Sequence, residues 1–158
     1  MSKIELQIAT ASLEDPQVRS LIAFHQQDME EMSPPGTSWA LDLSGLTGPD
    51  VTVMGAWEGD TLIAIGALKR LGDGTAELKS MRTLPAHLGK GAAKALLAAL
   101  IKLSREEGLG RLSLETGTSE EFMPAIALYT KHGFAKGDAF SQYVNGPHNQ
   151  CYHLDLTT

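Results

Sequence analysis

The chain has 158 residues, a net charge of −6, a pI of about 5.3 and one cysteine, Cys151. This length predicts a single domain over 1–158, and the acidic balance disfavours nucleic acid, because binding to a phosphate backbone requires clustered basic residues. One cysteine excludes an internal disulfide and a cysteine-based zinc cluster. Since no apolar run approaches the roughly 18 residues of a membrane span and no signal-peptide pattern is present, we expect a cytoplasmic protein without a membrane partner.

The first third of the chain alternates between periodic segments and breakers. A strand is predicted over 3–9 and a helix over 12–32, whose apolar residues recur on one face. The pair Pro34-Pro35 must end that helix, because proline lacks a backbone donor. A short second helix is plausible over 37–46.

The middle of the chain predicts an antiparallel meander. Three apolar or alternating runs are separated by turns that contain glycine and aspartate. These strands are expected at 51–57, 61–69 and 76–83. An Ala- and Leu-rich helix is predicted to follow at about 90–107 and to end at Gly108.

The last third adds one more helix and three strands. We expect a strand over 111–115, a helix over 120–132, and strands over 134–144 and 150–156. The order predicts an α+β domain with a mixed, mostly antiparallel sheet and one βαβ crossover. An edge strand at the C-terminus would allow a homodimer.

The loop that opens the helix at 90 predicts an anion site. A helix start leaves N–H groups unpaired and carries the positive end of the helix dipole, and glycine lets a ligand approach the main chain. A P-loop is disfavoured because its motif, G-x₄-G-K-[ST], is absent from the sequence. A Rossmann dinucleotide site is disfavoured because an antiparallel meander precedes the loop. The alternative is a structural glycine turn without a ligand.

Three features resemble the GNAT superfamily of acetyl-CoA-dependent N-acetyltransferases, over essentially the whole chain. Residues 88–93, LGKGAA, are similar to its pyrophosphate motif, although Leu88 stands where the family has Gln or Arg. Residues 125–134, AIALYTKHGF, resemble its A-xx-LY-xxx-GF segment, and the meander-before-crossover order is the third feature. Within the superfamily the chain is similar to small bacterial YsnE-type acetyltransferases.

The resemblance implies a GNAT fold, with about seven strands, helices on both faces and a splayed central strand pair. It implies acetyl-CoA as co-substrate and no metal. The diphosphate would be bound at the glycine loop, and the pantetheine arm would lie along the strand that contains residues 81–83. The expected contacts are Met81, Arg82, Thr83, Leu88, Gly89, Lys90, Gly91, Ala92, Ala93 and Lys94.

Transfer of an acetyl group to an amine requires a base, because an alkylamine with a pKa of about 10.4 arrives mostly protonated. Glu77 is the first candidate and Glu115 the second; either would otherwise be a solvated carboxylate at a strand end. Tyr129 would donate a proton to the thiolate leaving group, or else serve as a core aromatic.

The acceptor pocket in this family is built by the first two helices and the loop between the last two strands. Here those segments contain His25, Asp28, Met32 and Tyr143. We therefore expect direct acetyl transfer to a primary amine of a small molecule or peptide. Leu88, and the lack of an Asn that many relatives carry near Phe122, leave open a catalytically silent acyl-CoA-binding module.

Overall fold

The computed structural model describes residues 5–32, 44–141 and 143–157. Its seven-stranded sheet has the order β1-β2-β3-β4-β5-β7-β6, in which only the β4–β5 pair is parallel. The strands are β1 (Gln7–Thr10), β2 (Val51–Glu58), β3 (Thr61–Arg70), β4 (Thr75–Thr83), β5 (Arg111–Gly117), β6 (Ala135–Gly137) and β7 (Asn149–Asp155). The helices are α1 (Pro16–Met32), α2 (Ala92–Glu106) and α3 (Met123–Lys131).

Helix α1 begins where the sequence supplies a cap. Asp15 accepts a hydrogen bond from the Gln17 N–H at 2.8 Å, and Pro16 occupies the first helical position, where no donor is needed. Its buried residues Val18, Leu21 and Ile22 pack with Val53, Leu62, Ile65 and Ala67 on one face of the sheet.

Helices α2 and α3 cover the opposite face. Leu97, Leu100 and Ile101 of α2 pack with Leu68 and Leu78, and Tyr129 of α3 joins the same core. Gly108, at φ +75°, ends α2, and the Leu109 N–H then donates to the Ser104 carbonyl at 3.1 Å. The predicted mixed sheet with helices on both faces is therefore confirmed.

The strand predicted over 134–144 is present only at Ala135–Gly137, and the rest of that prediction is wrong. Strand β6 ends at Gly137, and the following loop reverses at Phe140, whose carbonyl accepts a hydrogen bond from the Tyr143 N–H at 3.0 Å. Phe140 packs its ring against Tyr143 and His153, so this loop is held to the sheet by aromatic contacts. The C-terminal strand β7 is also not an edge, because it lies between β5 and β6.

The predicted helix over 37–46 is represented by a 3₁₀ turn at Ser44–Leu46, and residues 37–43 lie outside the described residues. The helix predicted over 120–132 is divided into a 3₁₀ turn at Glu120–Phe122 and α3. Pro124, within the first turn of α3, has no N–H to extend a longer helix backwards.

Candidate functional site

A gap between β4 and β5 forms the site. The two strands pair only from Thr75 to Glu77 on β4, and then diverge. A cavity of about 410 Å³ occupies the gap, within the usual range of roughly 300–1,000 Å³ for ligand sites. Its lining includes both strands, α1, α3 and the first turn of α2. The expected splay of the central strand pair is thus present, and it connects the two faces of the sheet.

A β-bulge in β4 decides which side chains face α1. Ile65 opposes Arg82 and Ala67 opposes Lys79, so Gly66 alone faces Ser80 and Met81. Ser80 has a φ of +57°, in the left-handed region. The extra residue shifts the alternation by one, because two residues oppose one at a bulge. Arg82 therefore lies on the α1 side together with Glu77 and Lys79, while Met81 packs against the core on the α2 side, next to Gly66.

The glycine loop presents unpaired main-chain donors. Gly89 and Gly91 both have φ near +82°, which non-glycine residues adopt at a cost of about 1–2 kcal/mol. Within the described part of the chain, the N–H groups of residues 89–93 have no hydrogen-bond acceptor. Ala93 lines the cavity, so the loop and the gap are continuous. This geometry suits an anionic group attached to a longer arm.

Three residues of the loop region, Leu88, Lys90 and Lys94, differ in their contacts and exposure. The Leu88 N–H donates to the Pro85 carbonyl at 3.4 Å, and its side chain is 67% exposed at the cavity edge. The Lys90 ammonium donates to Glu58 at 3.0 Å and contacts His87 Nδ1 at 2.9 Å. Lys94 is exposed on the first turn of α2. Lys90 is therefore held by Glu58 and His87, with one N–H donor remaining, whereas Lys94 is exposed.

Glu77, Lys79 and Tyr143 form a buried polar cluster on the α1 side. The Lys79 ammonium donates to Glu77 Oε2 at 3.2 Å and to the Tyr143 hydroxyl at 2.6 Å, and that hydroxyl donates to the same carboxylate oxygen. Burial, together with the Glu77 carboxylate, raises the pKa of Tyr143 far above its ordinary value. The cluster attaches the β6–β7 loop to β4 and closes one end of the cavity.

Glu115 lies beside this cluster on β5. Burial raises the pKa of its carboxyl group to about 7, and the Asn149 amide and the Lys79 charge offset part of that shift. A carboxyl group with such a pKa exchanges a proton readily near neutral pH. Glu77, in contrast, is occupied by two hydrogen bonds. The geometry therefore favours the second sequence candidate over the first as a base.

Arg82 connects β4 to α1. Its Nε donates to His25 Nδ1 at 3.0 Å, and its Nη1 forms an ion pair with Asp28 at 2.7 Å. Burial, followed by the charges of Arg82 and Lys79, lowers the pKa of His25 to about 3. His25 is thus a neutral acceptor at the cavity wall. The side chain of Arg82 therefore lies among the expected acceptor residues, although Arg82 was expected to contact the cofactor.

Tyr129 of α3 lines the cavity from the other face of the sheet. Its ring makes an edge contact with Phe134, with centroids 5.9 Å apart, so it is also part of the core. Burial raises its pKa to about 12, against the smaller opposing effect of Arg82. The hydroxyl stays protonated at neutral pH and has no hydrogen-bond partner among the described residues.

Several residues were not anticipated, and others cannot be placed. Lys79, Ser80 and Glu58 were missed by the sequence reasoning. Charged residues two apart within an apolar strand, as at 77 and 79, would have indicated a shared face. The Met32 side chain lies outside the described part of the structure. In that described part, no group of three or more His, Cys, Asp or Glu residues could hold a metal ion.

Two further features concern Cys151 and the helices. Cys151 is fully buried on β7, and burial raises the pKa of its thiol. No helix in the described ranges is both long and apolar enough to cross a bilayer.

Comparison with known proteins gives the family. Residues 17–134 match the model of the acetyltransferase (GNAT) family. The chain is 44% identical over 149 residues to the uncharacterized N-acetyltransferase YedL of Escherichia coli, covering 94% of each chain. It is 45% identical over 133 residues to the uncharacterized N-acetyltransferase YsnE of Bacillus subtilis, covering 84% of this chain and 88% of the relative.

Solved structures show the same fold. A Klebsiella pneumoniae protein assigned as an acyl-CoA N-acyltransferase superposes with a TM-score of 0.80 at 28% identity, covering 96% of this chain and 97% of that one. The PaiA N-acetyltransferase of Thermoplasma acidophilum, solved with coenzyme A, has a TM-score of 0.72 at 17% identity, covering 96% and 99%. With its splayed strands, glycine loop and matching family model, the chain belongs to the GNAT family of acetyltransferases.

Proposed function

We propose that this acyltransferase transfers the acetyl group of acetyl-CoA directly to a primary amine of a small molecule or peptide, in the cytoplasm. The observation that supports this most is one continuous cavity. It extends from the unpaired N–H groups at the start of α2, through the gap between β4 and β5, to carboxylates on the α1 side. A diphosphate, a linear arm and an amine can be arranged along such a path.

The first part of the path suits the cofactor. The N–H groups of Gly89, Gly91, Ala92 and Ala93 would donate to the diphosphate, with Lys94 and Lys90 near the outer phosphate. Beyond Glu77, the strands no longer satisfy each other's main-chain groups, so Met81 and Thr83 can pair with the arm's amides. The coenzyme A seen in the Thermoplasma neighbour is consistent with this assignment.

The reaction centre would lie where the gap opens toward α1. The amine nitrogen attacks the thioester carbonyl carbon, the amine proton moves to Glu115 directly or through water, and the carbon–sulfur bond breaks. Tyr129 gives its proton to the departing sulfur. The pKa of about 7 for Glu115 and the protonated state of Tyr129 match these two roles. The buried Cys151 is unsuited to an acyl-enzyme.

The acceptor would contact the α1 side of the cavity. His25, Tyr143 and the Arg82–Asp28 ion pair surround this end, together with Met29. In the neutral His25 ring, Nδ1 accepts the hydrogen bond from Arg82, so Nε2 carries the proton and can act as a donor. We assign these residues to acceptor binding. Experiment must identify the amine.

The test is release of free CoA thiol from acetyl-CoA in the presence of amines, polyamines, amino acids and peptides. Turnover with at least one amine, and acetylated product by mass spectrometry, supports the enzyme. Tyr129→Phe should bind acetyl-CoA normally but turn over at least about 100-fold more slowly, because proton donation contributes roughly 10²–10⁴-fold. Binding of acetyl-CoA without turnover on any amine would instead support the silent module.

A further inference from the structure

Ser80 combines two unfavourable features. Its φ of +57° is one that residues with a side chain rarely adopt. Its hydroxyl is the buried side-chain polar atom of the described structure that has no hydrogen-bond partner. Native proteins satisfy nearly all such groups, so each exception calls for an explanation, and a functional role is one of the recognised ones.

The place of Ser80 relates both features to the cavity. Ser80 lines the cavity and lies in the bulge of β4, directly after Lys79 of the buried polar cluster. Glycine would adopt the same φ without strain and would leave no hydroxyl to satisfy. The hydroxyl therefore adds nothing to the ligand-free fold. Rotation about a single bond, Cα–Cβ, redirects it within its surroundings.

Ser80 also lines the same cavity as residues at both ends of the proposed cofactor path. Along β4 it lies between Thr83, whose end of the strand leads to the glycine loop, and the buried pair of Glu77 and Lys79. An arm that starts at the glycine loop and runs along β4 toward the carboxylates passes this residue. The acyl carbonyl oxygen is a hydrogen-bond acceptor, and the Ser80 hydroxyl is a donor in the wall of that path.

We propose that the Ser80 hydroxyl donates a hydrogen bond to the carbonyl oxygen of the acyl thioester and positions it for attack. This inference rests on the proposed function. The ligand supplies the acceptor that the folded chain lacks, and the bulge holds the hydroxyl at the required point. Such a bond strengthens as negative charge develops on the oxygen during attack.

Two variants and two ligands test the proposal. Ser80→Ala removes the hydroxyl and keeps the strain, whereas Ser80→Gly removes both. Calorimetric titration of each with acetyl-CoA and with CoA, which lacks the carbonyl, separates the carbonyl contact from contacts to the arm. We expect both variants to lose about threefold to tenfold in affinity for acetyl-CoA and less than twofold for CoA. The midpoint of urea unfolding without ligand should stay equal or rise, most for Ser80→Gly.

Two patterns of altered affinity would overturn the role of Ser80. One is an equal change in affinity for both ligands, which would place the contact on the arm. The other is full acetyl-CoA affinity in Ser80→Gly with loss only in Ser80→Ala, which would make the effect conformational. If the wild-type chain bound neither ligand, the proposed function itself would fail. If the wild-type chain bound both ligands and both variants kept the same affinities, the role of Ser80 would be rejected and the proposed function would remain.

Discussion

Replacement of Glu115 by glutamine tests which carboxylate accepts the amine proton. A base must be deprotonated to act, so kcat/KM should rise with pH through the Glu115 pKa of about 7. At pH 5, two units lower, about one hundredth of the enzyme carries the carboxylate, and kcat/KM should be roughly 100-fold below its plateau. In Glu115→Gln this dependence should vanish, and the plateau rate should fall by roughly 10²–10⁴-fold.

The assay must separate the enzyme's titration from that of the acceptor amine, which also loses a proton as pH rises. Thiol release should therefore be measured from pH 5 to 9 with two acceptors whose amine pKa values differ by a unit or more. The part of the profile that belongs to the acceptor moves between the two amines. The part that belongs to Glu115 stays near pH 7. Glu106→Gln, at the exposed end of α2, is the matched control and should leave the profile unchanged.

The refuting result is specific. If Glu115→Gln kept both its plateau and its dependence near pH 7, another group would be the base, and the argument from burial would be wrong. Loss of the same dependence in Glu77→Gln, with a stable fold, would return the role to the first sequence candidate.

Three further predictions concern the surroundings of the site. Glu77→Gln leaves the buried Lys79 ammonium without its carboxylate and should lower the free energy of unfolding, measured in urea, by about 3–5 kcal/mol. The double variant Glu77→Gln/Lys79→Met should recover much of that loss. A change below about 1 kcal/mol in Glu77→Gln would contradict the claim that the two charges form a buried pair. His25 has a pKa of about 3 in the folded chain against 6.5 when free, so between these values the unfolded chain binds one proton more than the folded chain. The stability due to neutral His25 is therefore complete above pH 6.5 and is lost as the pH falls toward 3. His25→Asn should flatten that part of the stability curve measured by thermal unfolding, and an unchanged curve would reject the shift. Gly91→Ala, at φ +82°, should lower the free energy of unfolding by about 1 kcal/mol and weaken CoA binding. The control Gly108→Ala, at φ +75° beyond the other end of α2, should lower stability by a similar amount and leave CoA binding intact. Equal losses of CoA binding in the two variants would contradict the role of the glycine loop.

The meander and α2 were predictable because their signals are local. Alternation over 51–57 and 61–69, with a Gly-Asp turn between them, defines a hairpin whatever packs on it. Strands β2 and β3 extend within a residue or two of those predictions. The loop after Gly137 was not predictable in this way, because the ring of Phe140 packs against His153 of β7, which lies in another part of the chain.

The site was predictable where main-chain geometry follows from residue type. Glycine at 89 and 91 indicates positive φ and a bare loop, and both residues show it. The bulge at Ser80 has no such signal, since serine gives no indication of positive φ. Without the bulge, alternation would place Arg82 on the face opposite to Glu77. The ion pair of Arg82 with Asp28 could therefore only be seen in the structure.

The central claim is that a diphosphate-bearing thioester binds at the start of α2 with its arm between β4 and β5. Titration of the isotopically labelled protein with CoA, followed by amide NMR, tests it most directly. We predict saturable shifts concentrated at residues 89–93 and 81–83, with smaller changes at the other end of α2. No shifts at millimolar CoA, or shifts that leave the 89–93 amides unmoved, would contradict the account.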